Sequence, residues 1–293
     1  MLIIAHRGAS GHAPEHTFAS WDRALAMGAD YLEQDLQMTR DGALVVLHDE
    51  TLDRTARRAG RPVLGRVLDH TLAELRDVEV GSWFNDVRPD LASPTFADER
   101  LPTLEAVLAR YAPLGAAFYI ETKQPEAAPG MEEALLALLD RFDLREPAAA
   151  EWRVLIQSFS AASLRKLHAI DARLPLIQLI EKRAEDVAGR LPEIAGYAVG
   201  IGPHHADADV ALVEAAHAHC LAVHPYTVNE PADAARMEAA GVDGVFTDYA
   251  DRWLARRPNG EARGAAARRQ AAADWRRCRE LTAAGARPAA SPR

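Results

Sequence analysis

Basic residues are in the minority in this sequence, and long apolar runs are missing. Its 293 residues carry 34 Lys and Arg against 43 Asp and Glu, which gives a net charge of −9. An acidic chain is poorly suited to general nucleic-acid binding, because the phosphate backbone rewards an excess of positive charge. No apolar run reaches the roughly 18 residues that a membrane-spanning helix needs. We therefore expect no nucleic-acid partner and no membrane-spanning segment.

Cysteine is almost absent as well. The sequence has two, Cys220 and Cys278, which are too few for a disulfide framework. We expect both to be reduced, with Cys220 a small core residue at the start of a strand. The first eight residues lack the basic start, long apolar stretch and cleavage site of a secretory signal. Together these features predict a cytoplasmic location.

Short β-branched runs alternate with longer segments of helical spacing. This alternation is typical of a parallel sheet covered by helices, and eight or nine strands in about 250 residues favour a closed (β/α)8 TIM barrel. The predicted strands are Leu2–Ala5, Tyr31–Leu36, Ala43–Leu47, Ala117–Thr122, Arg153–Gln157, Leu174–Leu179, Tyr197–Ile201, Leu221–His224 and Gly244–Thr247. The predicted helices include Thr17–Met27, Met131–Phe142, Ser160–Ile170, Val210–His219 and Ala232–Ala239.

Two stretches interrupt the alternation. Residues from about 50 to 100 are polar in places and broken by Gly, Pro and Asn, which predicts a small insertion between an early strand and the following helix. Residues 256–293 carry ten Arg against three acidic residues. We predict a barrel domain over 1–255 and a basic Ala/Arg/Pro-rich C-terminal tail over 256–293. The middle of that tail, 264–281, has helical character, and its last residues are expected to be disordered.

Reactive side chains follow the first predicted strand. In a parallel barrel the C-terminal ends of the strands face the active site, so His6 is placed to act there. Arg7 can form a forked contact with phosphate oxygens. Gly8 lets the backbone approach a ligand closely.

Pairs of charged residues recur two positions apart on predicted strands. Glu33 and Asp35 share one face of their strand, which in a barrel is the interior. Buried carboxylates must be paired or bound to metal, and oxygen ligands suit Mg²⁺ and Ca²⁺. Glu121 and Lys123 repeat this spacing, so Glu121 would complete a cluster of three carboxylates and Lys123 would balance charge or hold phosphate.

Each of these features has an ordinary structural explanation when it is taken alone. A single histidine at a strand end, such as His6 or His48, is usually structural, and an isolated Glu-x-Asp pair is often half of an ion-pair network. Their coincidence is harder to explain in this way, because two histidines, an arginine, three acids and a lysine all fall at predicted strand ends. The combination indicates a catalytic site.

At these residues the sequence resembles the glycerophosphodiester phosphodiesterase family. The likeness covers roughly residues 3–253 and is most specific in its first third. The family pattern has His-Arg-Gly, Pro-Glu-Asn-Thr, Glu-x-Asp with Thr-x-Asp-Gly, and His-Asp-x-x-Leu-x-Arg-Thr. The matching residues are His6-Arg7-Gly8, Pro14-Glu15-His16-Thr17, Glu33 and Asp35 with Thr39-Asp41-Gly42, and His48-Asp49 with Leu52 and Arg54-Thr55. Later matches include Gly81-Ser82-Trp83-Phe84, Glu121 with Lys123, Thr227-Val228-Asn229 and Thr247-Asp248.

The resemblance implies a (β/α)8 barrel that hydrolyses glycerophosphodiesters to an alcohol and sn-glycerol 3-phosphate. It implies a divalent cation on Glu33, Asp35 and Glu121, with Mg²⁺ expected first and Ca²⁺ as the alternative. It also implies His6 as general base and His48 as general acid towards the leaving alkoxide. Histidine suits both roles, because its unperturbed pKa of about 6.5 lies near the working pH.

The implied substrate contacts come from several strand ends. Arg7 and Lys123 would face the phosphoryl oxygens, and Glu15 would belong to the same polar surface. Phe159 and Tyr226 would form an apolar wall for the glycerol or the leaving group. The expected partner is therefore a small glycerophosphodiester, and the sequence does not determine the oligomeric state.

The sequence departs from the family pattern at two places. His16 replaces the family's Asn after Pro-Glu, and Tyr226 replaces its usual Trp before Thr-Val-Asn. The basic tail lies outside the resemblance. Two other functions stay open: a phospholipase D-like enzyme acting on lysophospholipids, and a barrel that binds ligands without catalysis. The first often has disulfide-stapled active-site loops, and the second would lack a histidine or a metal-binding acid.

Overall fold

The computed structural model of the chain describes residues 1–257 and 263–285. Its β1 segment reads Leu-Ile-Ile-Ala and is buried throughout, as expected for a strand with a core on both faces. In chain order the strands are β1 (Leu2–Ala5), β2 (Tyr31–Met38), β3 (Leu44–Val46), β4 (Arg57–Arg58), β5 (Arg61–Pro62), β6 (Phe118–Thr122), β7 (Val154–Ser158), β8 (Leu176–Ile180), β9 (Gly200–Pro203), β10 (Ala222–Val223) and β11 (Gly244–Thr247).

Within those described residues, eight parallel strands form the wall of a barrel. Their order is β10–β9–β8–β7–β6–β2–β1–β11. The wall closes between β10 and β11, where the amide of Asp243 donates to the carbonyl of Val223 and the amide of Phe246 donates to the carbonyl of Pro225, both at 3.0 Å. The predicted (β/α)8 barrel is confirmed.

Helices cover the outside of the wall and occupy the long connections. Thr17 begins the first of them, because its hydroxyl accepts a hydrogen bond from the amide of Ser20 at 3.2 Å and so caps the helix. The helices are α1 (Phe18–Met27), α2 (Leu72–Leu75), α3 (Trp83–Val87), α4 (Leu104–Tyr111), α5 (Met131–Arg141), α6 (Arg145–Glu151), α7 (Ala161–Ile170), α8 (Val187–Ile194), α9 (Val210–Ala218), α10 (Pro231–Ala240), α11 (Ala250–Arg256) and α12 (Gly264–Ala283). Short 3₁₀ turns lie at Val67–Asp69, Pro89–Leu91, Pro94–Asp98 and Ala112–Leu114.

The predicted strand at Ala43–Leu47 does not belong to the parallel wall. It is β3, which pairs antiparallel with β2 and places Val46 opposite Leu36. The chain thus turns back along β2 after Gly42 and returns towards the middle of that strand. The residues from β3 to the start of α4 form the insertion, with its own buried cluster of apolar side chains. The sequence had suggested that His48 follows a barrel strand. In the structure it follows the hairpin strand β3.

The barrel interior contains a core of its own. Alternate residues of the wall strands point inward, among them Leu2, Ile4 and Phe246, while their neighbours pack against the helices. At the N-terminal end of the barrel, Ala272 and Trp275 of α12 pack against this interior core. The helix expected in the middle of the C-terminal segment is thus present, and it lies on the barrel. The last eight residues, for which disorder was expected, lie outside the described part.

The prediction of two reduced cysteines is wrong for this structure. Cys220 and Cys278 form a disulfide, with Cα atoms 5.8 Å apart. No sequence pattern indicates this bond, because 58 positions separate the two residues and only the docking of α12 brings them together. Cys220 is also buried, as expected of a core residue at the start of β10.

No helix within residues 1–257 and 263–285 has the length and apolar character needed to cross a membrane.

Candidate active site

A cavity of about 600 Å³ opens at the C-terminal end of the barrel. This is the end where barrel enzymes assemble their sites from strand ends and loops, and the volume suits a small ligand. The lining combines acids, cations, two of the predicted histidines and an aromatic patch. It includes His6, Arg7, Glu33, Asp35, His48, Glu121, Lys123, Gln124, Glu126, Gln157, Phe159, Glu181, Lys182, His204, Tyr226 and Phe246.

Three buried carboxylates meet on the floor of this cavity. Asp35 of β2 and Glu121 of β6 are register partners on adjacent strands, and Glu33 lies two residues before Asp35 on the same inward face. Two cations lie beside them: Lys123 Nζ is 2.9 Å from Glu121 Oε1, and Arg7 Nε is 3.5 Å from Asp35 Oδ2. The backbone amide of Arg7 also donates to Glu33 Oε2 at 2.6 Å. The predicted cluster is thus assembled as expected from the two-residue spacing.

Burial and mutual repulsion perturb the three acids unequally. Burial and the Asp35 carboxylate raise the pKa of Glu33 well above its usual range, and the same causes raise the pKa of Glu121. Burial also opposes ionisation of Asp35, but Lys123 and His16 outweigh it and hold the pKa of Asp35 well below its usual range. Two cations do not neutralise three carboxylates at such close quarters, so additional positive charge would be stabilised here.

The floor also offers an unsatisfied oxygen. Gln157 of β7 is the register partner of Glu121, and its Oε1 is buried with no hydrogen-bond partner among the described residues. A row of potential oxygen ligands thus crosses three adjacent strands at Asp35, Glu121 and Gln157. Oxygen-rich sets of this kind suit hard divalent cations, so the residues present fit the cation that the sequence implied.

His16 lies directly behind this floor. It is buried, and its Nε2 is 2.8 Å from Asp35 Oδ2. His16, Glu33 and Asp35 form a group whose ligand atoms all lie within 4.8 Å of one another. The position is set locally, because Thr17 caps α1 and fixes the turn that precedes it. The departure from the family's Asn therefore places an imidazole against a predicted metal-binding acid.

His6 is held by a carboxylate that the sequence reasoning did not single out for this role. Its Nδ1 is 2.7 Å from Asp248 Oδ1, at the end of β11. Asp248 is fixed in turn by the Ser10 hydroxyl at 2.8 Å and by Asn229 Nδ2 at 2.6 Å. Burial opposes its ionisation, but the contact with His6, assisted by those with Ser10 and Asn229, holds the pKa of Asp248 below the usual range. With Nδ1 engaged, Nε2 is the ring nitrogen left for chemistry in the cavity.

His48 has a similar partner in its neighbour along the chain. Its Nδ1 is 2.7 Å from Asp49 Oδ1, while Arg54 Nε donates to Asp49 Oδ2 at 2.6 Å. These two contacts hold the pKa of Asp49 below the usual range. Arg54 also forms a two-pronged contact with Glu15, at 2.8 and 2.7 Å. Both histidines are thus oriented through Nδ1 by a carboxylate.

Glu15 and Gly8 make contacts that the sequence did not suggest. Glu15 does not line the cavity; it pairs with Arg54 and, at 3.1 Å, with Arg7, and these arginines lower the pKa of the partly buried Glu15 to about 2. Gly8 has φ of +87°, and a Cβ there would collide with Ser20 of α1. Its conformation and the packing of α1 both favour glycine at this position.

The aromatic wall lies on the other side of the cavity. Phe159 and Tyr226 meet edge to face with ring centroids 5.9 Å apart, and the Tyr226 hydroxyl donates to the carbonyl of Ile180 at 2.8 Å. His204 packs against Tyr226 at 5.7 Å and also lines the cavity. The hydroxyl that distinguishes Tyr226 from the family's Trp therefore anchors the aromatic pair to β8.

Sequence reasoning missed the supporting residues more than the central ones. Asp248 and Asn229 belong to short matches to the family pattern, but a pattern does not show which side chains meet. Asp248 lies 242 positions from His6 in sequence, and only the pairing of β11 with β1 makes them neighbours. Asp49 could have been suspected from its place directly beside His48.

Comparisons with known proteins agree with this geometry. The model of the glycerophosphoryl diester phosphodiesterase family matches residues 6–252. A glycerophosphodiester phosphodiesterase of Bacillus subtilis (strain 168) is 46% identical over 253 residues, which cover 86% of this chain and 84% of that protein. A crystal structure of a glycerophosphodiester phosphodiesterase from Agrobacterium tumefaciens superposes with a TM-score of 0.70 at 27% identity, covering 87% of this chain and 99% of that one.

A further solved relative is a phosphodiesterase of Oleispira antarctica, in complex with the product sn-glycerol-3-phosphate. It has a TM-score of 0.73 and 25% identity, and the match covers 88% of this chain and 97% of that one. The family match spans every strand of the barrel wall except β1 and contains every residue of the cavity floor. The chain belongs to the glycerophosphoryl diester phosphodiesterase family.

Proposed function

We propose that the protein is a divalent-cation-dependent phosphodiesterase that hydrolyses glycerophosphodiesters to an alcohol and sn-glycerol 3-phosphate. One observation carries the proposal: two carboxylate-oriented histidines line the same cavity as three buried acids and two cations. The Oleispira relative binds the corresponding product, which supports the choice of substrate class. The family match supports the reaction type.

Glu33, Asp35 and Glu121 would hold the cation. Mg²⁺ is the first expectation and Ca²⁺ the alternative, because both prefer oxygen ligands and differ mainly in coordination number and rigidity. When bound, the cation supplies positive charge for the phosphoryl oxygens. The neighbouring Gln157 offers one more oxygen from β7.

Arg7 and Lys123 are the protein's own cations for the phosphate. Each already contacts the carboxylate floor, so each is held in place before substrate arrives. Fixed donors aimed at developing negative charge stabilise a transition state without having to reorganise. Glu15 assists from outside the cavity, because its pairing with Arg7 limits the positions open to the guanidinium.

His6 would act as general base through Nε2, and His48 as general acid towards the leaving alkoxide. The Asp248 carboxylate favours the Nδ1-protonated form of His6 and stabilises the positive charge that the ring gains on accepting a proton. Asp49 holds the His48 ring in the same manner. The attacking oxygen is either the adjacent glycerol hydroxyl, which gives a cyclic phosphate for water to open, or water itself.

The aromatic pair Phe159 and Tyr226 would pack against the carbon skeleton of the substrate. Phe159 is 36% exposed, so an apolar surface is available at the rim of an otherwise charged cavity. An apolar wall facing polar groups orients a small ligand that has both characters.

The proposal is tested by a coupled assay for glycerol 3-phosphate release across a panel of glycerophosphodiesters, with and without chelator. We expect release from glycerophosphocholine and related short diesters, and loss of release on chelation. Faster turnover of lysophosphatidylcholine than of glycerophosphocholine would instead indicate the phospholipase D-like alternative. The Cys220–Cys278 disulfide gives that alternative no support, because it lies at the opposite end of the barrel from the cavity.

Replacing Asp248 with Asn should lower kcat by about 10- to 10³-fold and change KM little. The amide keeps the shape of the side chain but no longer favours the productive tautomer of His6 or its charged form. Steady-state kinetics on a glycerophosphodiester measures the effect. Asp251→Asn is a matched control, because Asp251 pairs with His12 at 3.0 Å outside the cavity. Equal kcat values for the two variants would remove Asp248 from its positioning role.

Replacing His16 with Ala should weaken cation binding by about 10- to 100-fold, since a partner behind a metal-binding carboxylate fixes its direction. His16→Asn, which introduces the family's amide, should retain most of the affinity. Calorimetric titration of chelator-stripped protein with Mg²⁺ and Ca²⁺ measures both variants without reference to activity. Wild-type affinity in His16→Ala would show that Asp35 needs no such support.

A further inference from the structure

The helix α12 lies outside the region that the family model matches, which ends at residue 252. It nevertheless packs into the N-terminal end of the barrel. Ala272 is fully buried, and Trp275 lies 6.2 Å from Trp152, centroid to centroid. Both α12 residues contact the interior core formed by inward-facing side chains of the wall. The helix thus covers the end of the barrel opposite the cavity.

A buried cluster of charges ties the segment before and within α12 to the same end. The Asp30 side chain, at the start of β2, is fully buried and pairs with the buried guanidinium of Arg257. Asp30 Oδ1 also accepts from the amide of Gly264 at 2.7 Å, and its carbonyl accepts from Arg268 at 3.0 Å. Breaking a buried pair of this kind is costly, because it leaves an uncompensated charge.

Two arginines on α12 dock onto the ends of barrel helices. Arg276 donates to the carbonyl of Ala150 at 3.0 Å, in the last turn of α6, and Arg279 donates to the carbonyl of Ala195 at 3.1 Å, just after α8. Cations are stabilised at helix C-termini, where carbonyl groups lack partners within the helix. These contacts account for part of the positive charge of the C-terminal segment.

The disulfide fastens the far end of α12. Cys220, before β10, is buried, while Cys278 is only partly buried and so is the more accessible sulfur. The bond closes a loop of 58 positions, which includes β10, β11 and most of α12. Loops of this length restrict the unfolded chain strongly when they are closed.

We propose that α12 is a disulfide-fastened plug of the barrel, and that the protein is built to work where thiols are kept oxidised. The charge cluster at Asp30 holds the start of the plug, and the disulfide holds its end. Stable disulfides of this kind persist in oxidising compartments and are rare in the reducing cytosol. The proposal goes beyond the phosphodiesterase activity and does not depend on it.

A dithiol reductant would release the plug by thiol–disulfide exchange. One thiolate of the reductant attacks a cysteine sulfur and forms a mixed disulfide, and the Cys220–Cys278 bond breaks. The second thiol of the reductant then displaces the protein, which leaves two cysteine thiols and a cyclic disulfide. Refastening needs a disulfide oxidant, which an oxidising compartment supplies.

The test compares oxidised and dithiothreitol-reduced full-length protein by thermal unfolding and by hydrogen exchange. We expect reduction to lower Tm by about 5–15 °C, because the loop constraint is lost. Amide protection should fall in α12 more than in α4, a helix outside the disulfide-closed loop that serves as internal reference. The kcat measured at 25 °C should stay within about twofold, since the cavity lies at the other end.

A Cys220→Ser/Cys278→Ser double variant is the matched control. It should resemble the reduced protein in Tm and should not respond to dithiothreitol, which separates disulfide reduction from other effects of the reagent. If that variant does not fold, the in-situ reduction of the wild-type protein still decides the question. The proposal is overturned if the purified, unreduced protein has two free thiols, or if reduction changes neither Tm nor α12 protection.

Discussion

His48→Ala should slow hydrolysis of a glycerophosphodiester with a poor leaving group by about 10²–10⁴-fold. The loss follows from removing the proton donor for the departing alkoxide. The p-nitrophenolate of a p-nitrophenyl diester leaves without needing a proton, so the hydrolysis rate of that substrate should be largely spared by the same substitution. Steady-state kinetics on the two substrates gives the ratio directly. Equal losses on both substrates would remove the assignment of His48 as the acid.

His6→Ala provides the contrast within the same cavity. This variant lacks the base that activates the nucleophile, so both esters should slow alike. Cation content, measured by elemental analysis, should match wild type in both variants, because neither histidine is assigned as a ligand. His12→Ala is the control, since His12 pairs with an aspartate outside the cavity and should leave both rates unchanged.

Exhaustive chelation should reduce activity by at least about 10²-fold, because the phosphoryl oxygens would lose a fixed positive charge. Mg²⁺ should restore more activity than Ca²⁺. The floor of the cavity explains the size of the effect. Without the cation, the phosphoryl group would face three acids with only Arg7 and Lys123 beside them to offset the negative charge. Activity that survives complete chelation would contradict the proposed role of the cation.

Asp35→Asn tests whether the cation is bound by the carboxylates of the cavity floor. We expect this variant to bind the cation weakly in calorimetry and to recover little activity when Mg²⁺ is returned. Glu238→Gln is a suitable control, because Glu238 pairs with Arg256 on the surface, away from the cavity. Full recovery of Asp35→Asn would mean that the cation is held elsewhere.

The barrel could be predicted from the sequence because its strands are short, β-branched and separated by segments of helical spacing. Eight of the nine predicted strands belong to the wall, with ends shifted by a few residues. The remaining one, Ala43–Leu47, is a strand, but it pairs antiparallel with β2 outside the wall. Its composition suits any buried strand, and the direction of pairing depends on the tight turn at Gly42 rather than on the strand's own residues.

The site was predictable as far as local spacing defines it. The two-residue separation of Glu33 and Asp35 places both carboxylates inward, and the structure has them there. Contacts between distant segments could not be predicted in the same way. The pairing of His6 with Asp248 depends on the meeting of the first and last strands, and the disulfide depends on where α12 docks.

The hairpin strand β3 has a consequence for protein engineering. It separates the supports of the two histidines: His6 is attached to the barrel wall, whereas His48 follows β3 and is braced by Asp49 and Arg54 of the insertion. Residues 55–100 are not an independent unit, however, because Glu99 accepts hydrogen bonds from the amides of Phe18 and Ala19 at the start of α1. Engineering of the insertion should therefore retain Glu99, so that a change acts on the support of His48 and leaves α1 and the support of His6 in place.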